Sequence, residues 1–193
     1  MEPDTLDLSD EDLAARLQRG DEHALAELME RYEQKLMRYG NRFLGGQGAD
    51  VLKQAVQDIF ISAYQNIEGF DTKQRFSPWI YRIAHNAFVD VLRHRTRQPV
   101  YGFDFDTLIS HPVHEDTYAK EKENQEIRVL LEKSLDTLSA AQREIIVLYY
   151  FEELSYKEIA DVLHVPVSTV GVRLARARDH LKKALPDSSN FSL

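Results

Sequence analysis

Helical periodicity fills the first half of the chain in three stretches. Apolar residues recur three or four positions apart over 25–43, and the glycines of GGQG end that stretch. The same spacing runs over 51–67 and again over 79–92, and the segment EGFDTKQRFSP, closed by Pro78, separates the two. The third stretch ends in the basic run RHRTRQP. The pattern predicts three amphipathic helices in an N-terminal domain.

The middle of the chain breaks this pattern. From Pro99 to Glu126 it carries seven acidic residues against two lysines, and it holds two of the six prolines of the chain. Its first half has no helical period. A segment of this composition between two helical regions is typical of an interdomain linker.

Helical spacing returns over 127–185, in two short stretches followed by a longer one. Ser155 followed by Glu158 predicts a capping box, in which each side chain satisfies a free backbone N–H at a helix start. Residues 164–166 interrupt the pattern, and Pro166 suits the first position of the next helix. A short helix, a tight turn and a longer helix together predict a helix-turn-helix.

These patterns predict an all-α fold of two small helical domains joined by an acidic linker, the C-terminal one with a helix-turn-helix. The expected boundaries are 1–97 for the N-terminal domain, 98–126 for the linker, 127–186 for the C-terminal domain and 187–193 for a tail. A chain of 193 residues is long enough for two such domains. The low content of glycine and proline also favours helices over turn-rich β structure.

The last helix has the pattern of a DNA-reading helix. The apolar stripe that must face the rest of the domain consists of Val170, Leu174, Ala177, Leu181 and Leu185. The opposite face is small and polar at its start and basic further along, which suits approach to a major groove. The predicted DNA contacts are Ser168, Thr169, Val172, Arg173, Arg176, Arg178 and Lys183. The competing interpretation is a solvated helix whose basic residues favour the helix dipole near its C-terminal end.

The overall charge of the chain is opposite to the one expected of a DNA-binding protein. The chain carries 24 Lys and Arg against 32 Asp and Glu, a net charge of −8, which argues against nonspecific coating of nucleic acid. The segment 99–126 alone has a net charge of −5, whereas basic residues accompany both segments that we expect to contact DNA. The acidity is therefore concentrated away from those segments.

The composition excludes several kinds of chemistry. The chain contains no cysteine, so a disulfide, a cysteine zinc site and a thiol nucleophile are ruled out. No HExxH spacing, phosphate loop or serine–histidine arrangement occurs, so we predict no catalytic residue, metal site or cofactor. The acidic N-terminus does not resemble a signal peptide, and the apolar runs are too short to cross a bilayer. We therefore expect a cytoplasmic protein without membrane insertion.

The C-terminal stretch LSAAQREIIVLYYFEELSYKEIADVLHVPVSTVGVRLARARDHLKK resembles the promoter-reading domain of bacterial sigma factors. The similarity is close to the extracytoplasmic-function (ECF, group IV) type of the sigma-70 family. The matching features are Gln142-Arg143-Glu144, Leu154-Ser155-Tyr156, Glu158-Ile159-Ala160, Thr169-Val170, Arg173-Leu174 and Arg176-Ala177-Arg178. A helix-turn-helix alone occurs in many regulators, whereas this extended match is much more specific.

Gly171 departs from the family pattern, which usually has a basic residue at that position. A glycine inside a helix lowers helix stability by about 0.5–1 kcal/mol relative to alanine. Either the backbone must approach DNA or a neighbouring helix closely there, or promoter choice depends on Ser168, Val172 and Arg176 instead.

The stretch QRFSPWIYRIAHNAFVDVLRHRTR resembles the sigma segment that opens promoter DNA and reads the −10 element. The residues expected to act there are Phe70, Phe76, Trp79, Arg82, Asn86, Arg93, Arg95 and Arg97. An extruded base would be received by stacking and by hydrogen bonds to its edge, with NIEGFDTKQRF as a pocket wall. Trp79, at helical spacing with Ile83 and Ala87, fits a core position better than a base contact. The three arginines could equally be a solvated helix end.

The stretch VQDIFISAYQNI resembles the helix with which sigma factors bind the polymerase clamp. The residues expected to contact polymerase are Asp50, Gln57, Asp58 and Phe60. Gln54 stands where the family usually has an acidic residue, and the loss of this charge implies a weaker or altered polymerase contact without overturning the assignment.

The resemblance implies a transcription initiation factor without covalent chemistry of its own. It would bind core RNA polymerase, place its C-terminal helix at the −35 element and melt the −10 element with its N-terminal domain. The implied partners are core RNA polymerase, promoter DNA and an anti-sigma protein, with no small-molecule substrate. The linker would thread the polymerase cleft or serve as a solvated spacer.

Two other classes of protein compete with this interpretation. A helix-turn-helix repressor or activator with a sensing or dimerising domain would have no need of the arginine-tailed segment WIYRIAHN. An enzyme would need a site constellation, and His85, His94, His111 and His114 form none by spacing.

Overall fold

The computed structural model describes residues 8–45, 48–96, 132 and 134–184. Within these ranges the chain forms helices and turns and no β-strand, which confirms the all-α prediction there. The α-helices of these ranges are α1 Asp10–Gln18, α2 Glu22–Leu44, α3 Ala49–Asn66, α4 Phe76–Thr96, α5 Ala140–Ile146, α6 Tyr156–Leu163 and α7 Val167–Ala184. They are joined by two 3₁₀ helices, Ile67–Gly69 and Leu135–Thr137, and by a π-helical turn, Val147–Phe151. The predicted linker 98–126 and tail 187–193 lie outside the described residues.

Helices α1–α4 pack around one core. Its centre is filled from α2 by Tyr32, Leu36, Tyr39 and Phe43, each at most 2% exposed. At Gly40, α2 lies so close to its neighbours that a Cβ atom would overlap Leu52 of α3 and Phe88 of α4. Gly45 ends α2 in the left-handed conformation, with φ of 67°. The predicted glycine break is confirmed.

Helix α1 was not predicted from the sequence. It begins with a capping box, in which Ser9 Oγ accepts a hydrogen bond from the Asp12 N–H and the Asp12 carboxylate accepts one from the Ser9 N–H. Leu13, Ala14 and Leu17 form its buried face. The spacing of these three is helical, but a helix of nine residues is too short for periodicity to stand out in an acidic segment.

Helix α4 begins two residues before Pro78, which the sequence interpretation placed in the segment between helices. Phe76 is its first residue, so Pro78 lies in the first turn. The N–H groups of a first turn have no acceptor inside the helix, and a residue without an N–H is tolerated there.

Helices α5–α7 form the second domain, and the predicted capping box opens α6. Ser155 Oγ accepts a hydrogen bond from the Glu158 N–H, and the Glu158 carboxylate accepts one of 2.8 Å from the Ser155 N–H. His164 ends α6 in the left-handed conformation, with φ of 53°. Helix α7 starts one residue after Pro166, which therefore precedes the helix instead of opening it. The helix-turn-helix prediction is confirmed.

The rotation of α7 about its axis agrees with the predicted stripe. Four of the five stripe residues are fully buried, namely Val170, Leu174, Ala177 and Leu181. Leu185, the fifth, lies outside the described residues. The face predicted to read DNA consequently points away from the core of the domain.

The two domains pack against each other, α4 on α6 and α2 on α5 and the π-helical turn. Polar pairs cross this contact, and they are Tyr39 with Glu144, His85 with Glu144, Tyr81 with Glu152, Arg42 with Glu132, and Arg75 with Glu158. The Arg42 guanidinium also lies 4.0 Å from the ring centroid of Phe151. The interdomain contact is therefore rich in hydrogen bonds and charge, as is common where domains of one chain meet.

Candidate nucleic-acid and polymerase interface

The outward face of α7 carries the predicted −35 contacts in an open row. Ser168, Arg176 and Lys183 are exposed, and Thr169 and Val172 are half-buried. Because the inward stripe is buried, the helix cannot rotate, and the row is presented as a unit. Short polar side chains at the helix start can approach a groove closely, with the longer basic ones following along it.

Two predicted DNA-contacting arginines lie against the protein instead. Arg178 Nε donates a 2.9 Å hydrogen bond to Tyr150 Oη, and its guanidinium lies 5.4 Å from the ring centroid of Tyr149. Arg173 is half-buried, and burial lowers its pKa while the nearby charge of Glu144 acts in the opposite direction. The predicted DNA contacts of both residues remain predictions.

A cleft between α4 and the helix-turn-helix brings together residues that the sequence assigned to two different promoter elements. Asn86 and Arg93, predicted for the −10 element, line one side, and Arg173, predicted for the −35 element, lines the other. Arg93 also pairs with Asp90 at 3.1 Å, and both of these side chains are exposed. The arrangement of the domains described here thus places the two sets of predicted DNA contacts side by side.

An exposed loop, residues 71–75, leads from the 3₁₀ helix Ile67–Gly69 to α4, and we call it the melting loop after the role that the sequence resemblance implies. Beneath it lies a cluster of aromatic rings with centroids 5.1–5.5 Å apart, formed by Tyr32, Phe70, Phe76 and Trp79. Phe70 and Phe76 are buried and Trp79 is half-buried. In this conformation the two phenylalanines form a floor and are not exposed stacking surfaces.

The other predicted −10 residues lie along α4. Arg82 is half-buried, and Asn86 and Arg93 are exposed. The Arg95 side chain and all of Arg97 lie outside the described residues.

The melting loop belongs to the segment NIEGFDTKQRF, which the sequence interpretation named as a pocket wall without singling out its individual polar side chains. Asp71 Oδ1 accepts a 3.0 Å hydrogen bond from the Lys73 N–H, and the Gln74 N–H donates one of 2.9 Å to the Asp71 carbonyl. The loop is therefore an ordered turn built on Asp71. The sequence indicated this segment, but not that Asp71 holds its turn.

The outer face of α3 combines polar and apolar side chains. Asp50, Gln57 and Asp58 are exposed as predicted, and Gln54 Nε2 donates a 3.0 Å hydrogen bond to Asp58 Oδ1. Phe60 is only 6% exposed and faces the core, so its predicted polymerase contact would have to be indirect. Sequence reasoning missed three apolar side chains on this helix that are 47–55% exposed, Val51, Ile61 and Tyr64. Exposed apolar side chains on one helix are typical of a protein-binding surface.

The part of the chain that the structure describes offers neither a metal-binding cluster nor a membrane span. No group of three or more His, Asp or Glu side chains there is placed to hold a metal ion. None of the helices there is both long and apolar enough to span a bilayer.

The fold and these surfaces define a two-domain helical protein with one DNA-reading helix-turn-helix. Residues 28–98 match the family model of sigma-70 region 2, and residues 128–181 match that of sigma-70 region 4. The chain is 33% identical over 180 residues to the ECF RNA polymerase sigma factor SigW of Bacillus subtilis, covering 89% of this chain and 94% of that protein. It is 32% identical over 180 residues to the ECF RNA polymerase sigma-E factor of Escherichia coli K12, covering 89% and 92%.

A solved structure of CnrH in complex with the cytosolic domain of CnrY has the same fold. Its TM-score is 0.65 at 27% identity, and the alignment covers 94% of this chain and 99% of that one. The chain belongs to the sigma-70 family and is an ECF sigma factor. This confirms the resemblance stated from the sequence and excludes both competing classes, the helix-turn-helix repressor and the enzyme.

Proposed function

We propose that this ECF sigma factor reads the −35 element with the outward row of α7. The observation that carries the proposal is the burial of the four described residues of the inward stripe, Val170, Leu174, Ala177 and Leu181. It leaves Ser168, Arg176 and Lys183 exposed and Thr169 and Val172 half-buried on the outward face. Bases are read by the side chains at the helix start, and phosphates are held by the basic ones further along. Arg173 and Arg178 join these contacts only if they leave their present neighbours.

The −10 element is opened by the melting loop and α4. The exposed polar groups at 71–75 receive an extruded base, and the rings of Phe70, Phe76 and Trp79 support them from below. Asn86 and Arg93 are placed on α4 to contact the strand next to that base, with Arg82 beside them. Arg95 and Arg97 extend the basic track along the phosphates.

Core RNA polymerase binds the outer face of α3. Asp50, Gln57 and Asp58 provide polar contacts to a basic surface, and Val51, Ile61 and Tyr64 provide apolar area. Phe60 acts from the core by holding α3 in place. Gln54 leaves this face with one negative charge fewer than its relatives usually have.

The functional units of the chain follow the expected boundaries, with 1–97 for polymerase and −10 contacts and 127–186 for the −35 contact. The family matches at 28–98 and 128–181 support this division. The acidic linker 98–126 spans the polymerase between them. The factor acts where transcription takes place, in the cytoplasm, and an anti-sigma protein regulates it there. The complex of CnrH with the cytosolic domain of CnrY supports a protein partner for this fold.

Promoter binding requires the two domains to separate. The −35 and −10 elements lie about 25 base pairs apart, roughly 85 Å at about 3.4 Å per pair. In the described arrangement Asn86 and Arg173 line one cleft, so both elements cannot be reached at once. The linker sets the correct spacing when it is docked on polymerase. The acidity of the free chain then limits its binding to random DNA.

The proposal is tested by transcription in vitro, with core polymerase and a pool of genomic promoters. We expect transcripts from a defined subset of promoters and none with core polymerase alone. Ile61→Lys should weaken core binding by about tenfold, because it places a charge in an apolar contact. Met29→Lys is the matched control, since Met29 is 38% exposed on α2, away from that face. Failure of the wild-type chain to bind core polymerase would refute the proposal.

The proposed separation of the two domains can be measured by energy transfer between two dyes. The chain has no cysteine, so Gln34→Cys and Lys182→Cys in one chain introduce two labelling sites on different domains. Energy transfer between the dyes should fall when core polymerase and promoter DNA are added. An unchanged transfer efficiency in an active promoter complex would contradict the separation.

A further inference from the structure

Helix α1 contacts the melting loop at its first anchor through one side chain. Gln18 Nε2 donates two hydrogen bonds of 2.8 Å, one to the carbonyl of Ile67 and one to the carbonyl of Phe70. These carbonyls lie at the two ends of the turn that leads from α3 into the loop. The side-chain amide of Gln18 thus fixes the position at which the melting loop begins.

The same helix contacts the loop at its second anchor. Glu11 Oε1 accepts a 2.8 Å hydrogen bond from the Phe76 N–H, the first N–H of α4. That N–H has no acceptor inside its own helix, and a negative charge at a helix N-terminus is favourable. Glu11 therefore fixes where the loop ends, from seven residues before Gln18 on the same helix.

Helix α1 is itself held rigidly. Leu13 and Ala14 are fully buried, and Asp10 Oδ1 pairs with Arg31 of α2 at 2.8 Å. Asp10 Oδ2 also accepts a hydrogen bond from the Tyr32 hydroxyl. Both ends of the melting loop are therefore held by the same rigid helix, α1.

Between the anchors, the loop relies on weaker support. Its described hydrogen bonds there are local to Asp71, and Arg75 pairs across the domain contact with Glu158. That ion pair is lost when the domains separate. On promoter DNA the position of the loop then depends on α1.

We propose that Gln18 and Glu11 are positioning residues for promoter melting, which hold the melting loop in the shape that accepts an extruded base. This inference rests on the proposed function of that loop. Neither residue touches the DNA; each acts through the backbone at one end of the loop.

The test uses holoenzyme and single-stranded −10 oligonucleotides of either strand, intact or with one nucleotide at a time made abasic. In the wild type, removal of the received base should weaken binding by about tenfold, equivalent to about 1.4 kcal/mol. Gln18→Glu keeps the shape of the side chain but turns an oxygen towards the two carbonyls. We expect it to bind the intact oligonucleotide as weakly as the abasic one.

Three further variants separate positioning from general stability. Gln34→Glu makes the same chemical change at an exposed site on α2 and should keep the wild-type discrimination. Glu11→Ala should lose it, and Glu11→Gln should restore most of it, because its amide oxygen still accepts from the Phe76 N–H. All variants should bind core polymerase as the wild type does.

The outcomes are distinct. If Gln18→Glu and Glu11→Ala discriminate intact from abasic DNA as the wild type does, the inference is overturned. An equal loss of affinity for intact and abasic DNA would also overturn it, since that indicates only a less stable domain. If the wild type itself ignores every abasic site, the proposed role of the loop fails, and the inference with it.

Discussion

Tyr39 of α2 donates a 2.7 Å hydrogen bond to Glu144 of α5, and the two residues are 105 positions apart in the chain. Both side chains are fully buried, and His85 Nδ1 lies 2.6 Å from the same carboxylate oxygen. The other carboxylate oxygen of Glu144 has no hydrogen-bond partner among the described residues. While the domains are packed together, Tyr39 and His85 of the other domain supply the hydrogen bonds that this buried carboxyl group needs.

Tyr39→Phe should therefore destabilise the protein. The substitution removes one hydroxyl and leaves the buried Glu144 carboxyl with one hydrogen-bond partner fewer, which costs about 1–3 kcal/mol. Urea denaturation of the full chain measures this as a lower midpoint. Tyr64→Phe, which removes a hydroxyl from a half-exposed ring on α3, is the control and should not shift the midpoint. Equal midpoints for wild type and Tyr39→Phe would contradict the prediction.

Glu152 makes stability depend on pH. Burial raises the pKa of its carboxyl above the ordinary 4.5, although Tyr81 and the nearby Arg42 act to lower it. A carboxyl whose pKa is raised in the folded state stabilises that state below its unfolded pKa and loses this contribution as pH rises through the folded value. At neutral pH the charged carboxylate of Glu152 therefore destabilises the folded state.

Glu152→Gln should accordingly be more stable than the wild type at pH 7, because the amide oxygen still accepts from the Tyr81 hydroxyl without burying a charge. The difference should shrink as pH falls through the raised folded pKa and vanish below about 4.5, where Glu152 is increasingly protonated in both states. Urea midpoints of both proteins between pH 4 and 7 test this. A difference that stays constant over that range would rule out Glu152 as the origin.

Local signals made much of the fold predictable from the sequence. Gly45 and the pair Ser155 and Glu158 act within one turn of a helix, so their roles were visible in the sequence. The contact of Tyr39 with Glu144 joins distant parts of the chain, and no local pattern indicates it. Periodicity alone also could not identify which apolar residues of α3 stay exposed.

The candidate site was likewise predictable where local helix geometry determines it, and not where contacts between distant parts of the chain do. The outward row of α7 followed from helix geometry, because its inward stripe is unambiguous. Arg178 was assigned to DNA by its position, but Tyr150 engages it. The anchors of the melting loop come from Gln18 and Glu11, more than 45 residues away in sequence. Such contacts depend on how helices pack, which sequence spacing does not specify.

Gly40→Ala should destabilise the N-terminal domain. Alanine favours a helix over glycine by about 0.5–1 kcal/mol, but the added methyl group would overlap Leu52 and Phe88, and overpacking of this kind costs about 1–3 kcal/mol. The net effect is a lower thermal midpoint. Gly69→Ala is the matched control, because a Cβ there meets nothing within 4 Å. A Gly40→Ala protein at least as stable as the wild type would show that α2 and α4 can move apart freely.

Arg176→Ala should weaken promoter binding without changing stability, whereas Arg178→Ala should lower stability without changing the salt dependence of binding. Arg176 is exposed in the outward row of α7, so its loss should weaken promoter binding by holoenzyme and reduce the salt dependence of binding, with no change in the urea midpoint. Arg178 is engaged by Tyr150 and Tyr149, so its loss should lower the free energy of unfolding by about 1 kcal/mol, seen as a lower urea midpoint, and leave the salt dependence unchanged. A reduced salt dependence in Arg178→Ala would show that this arginine leaves the tyrosines and contacts phosphate on the promoter.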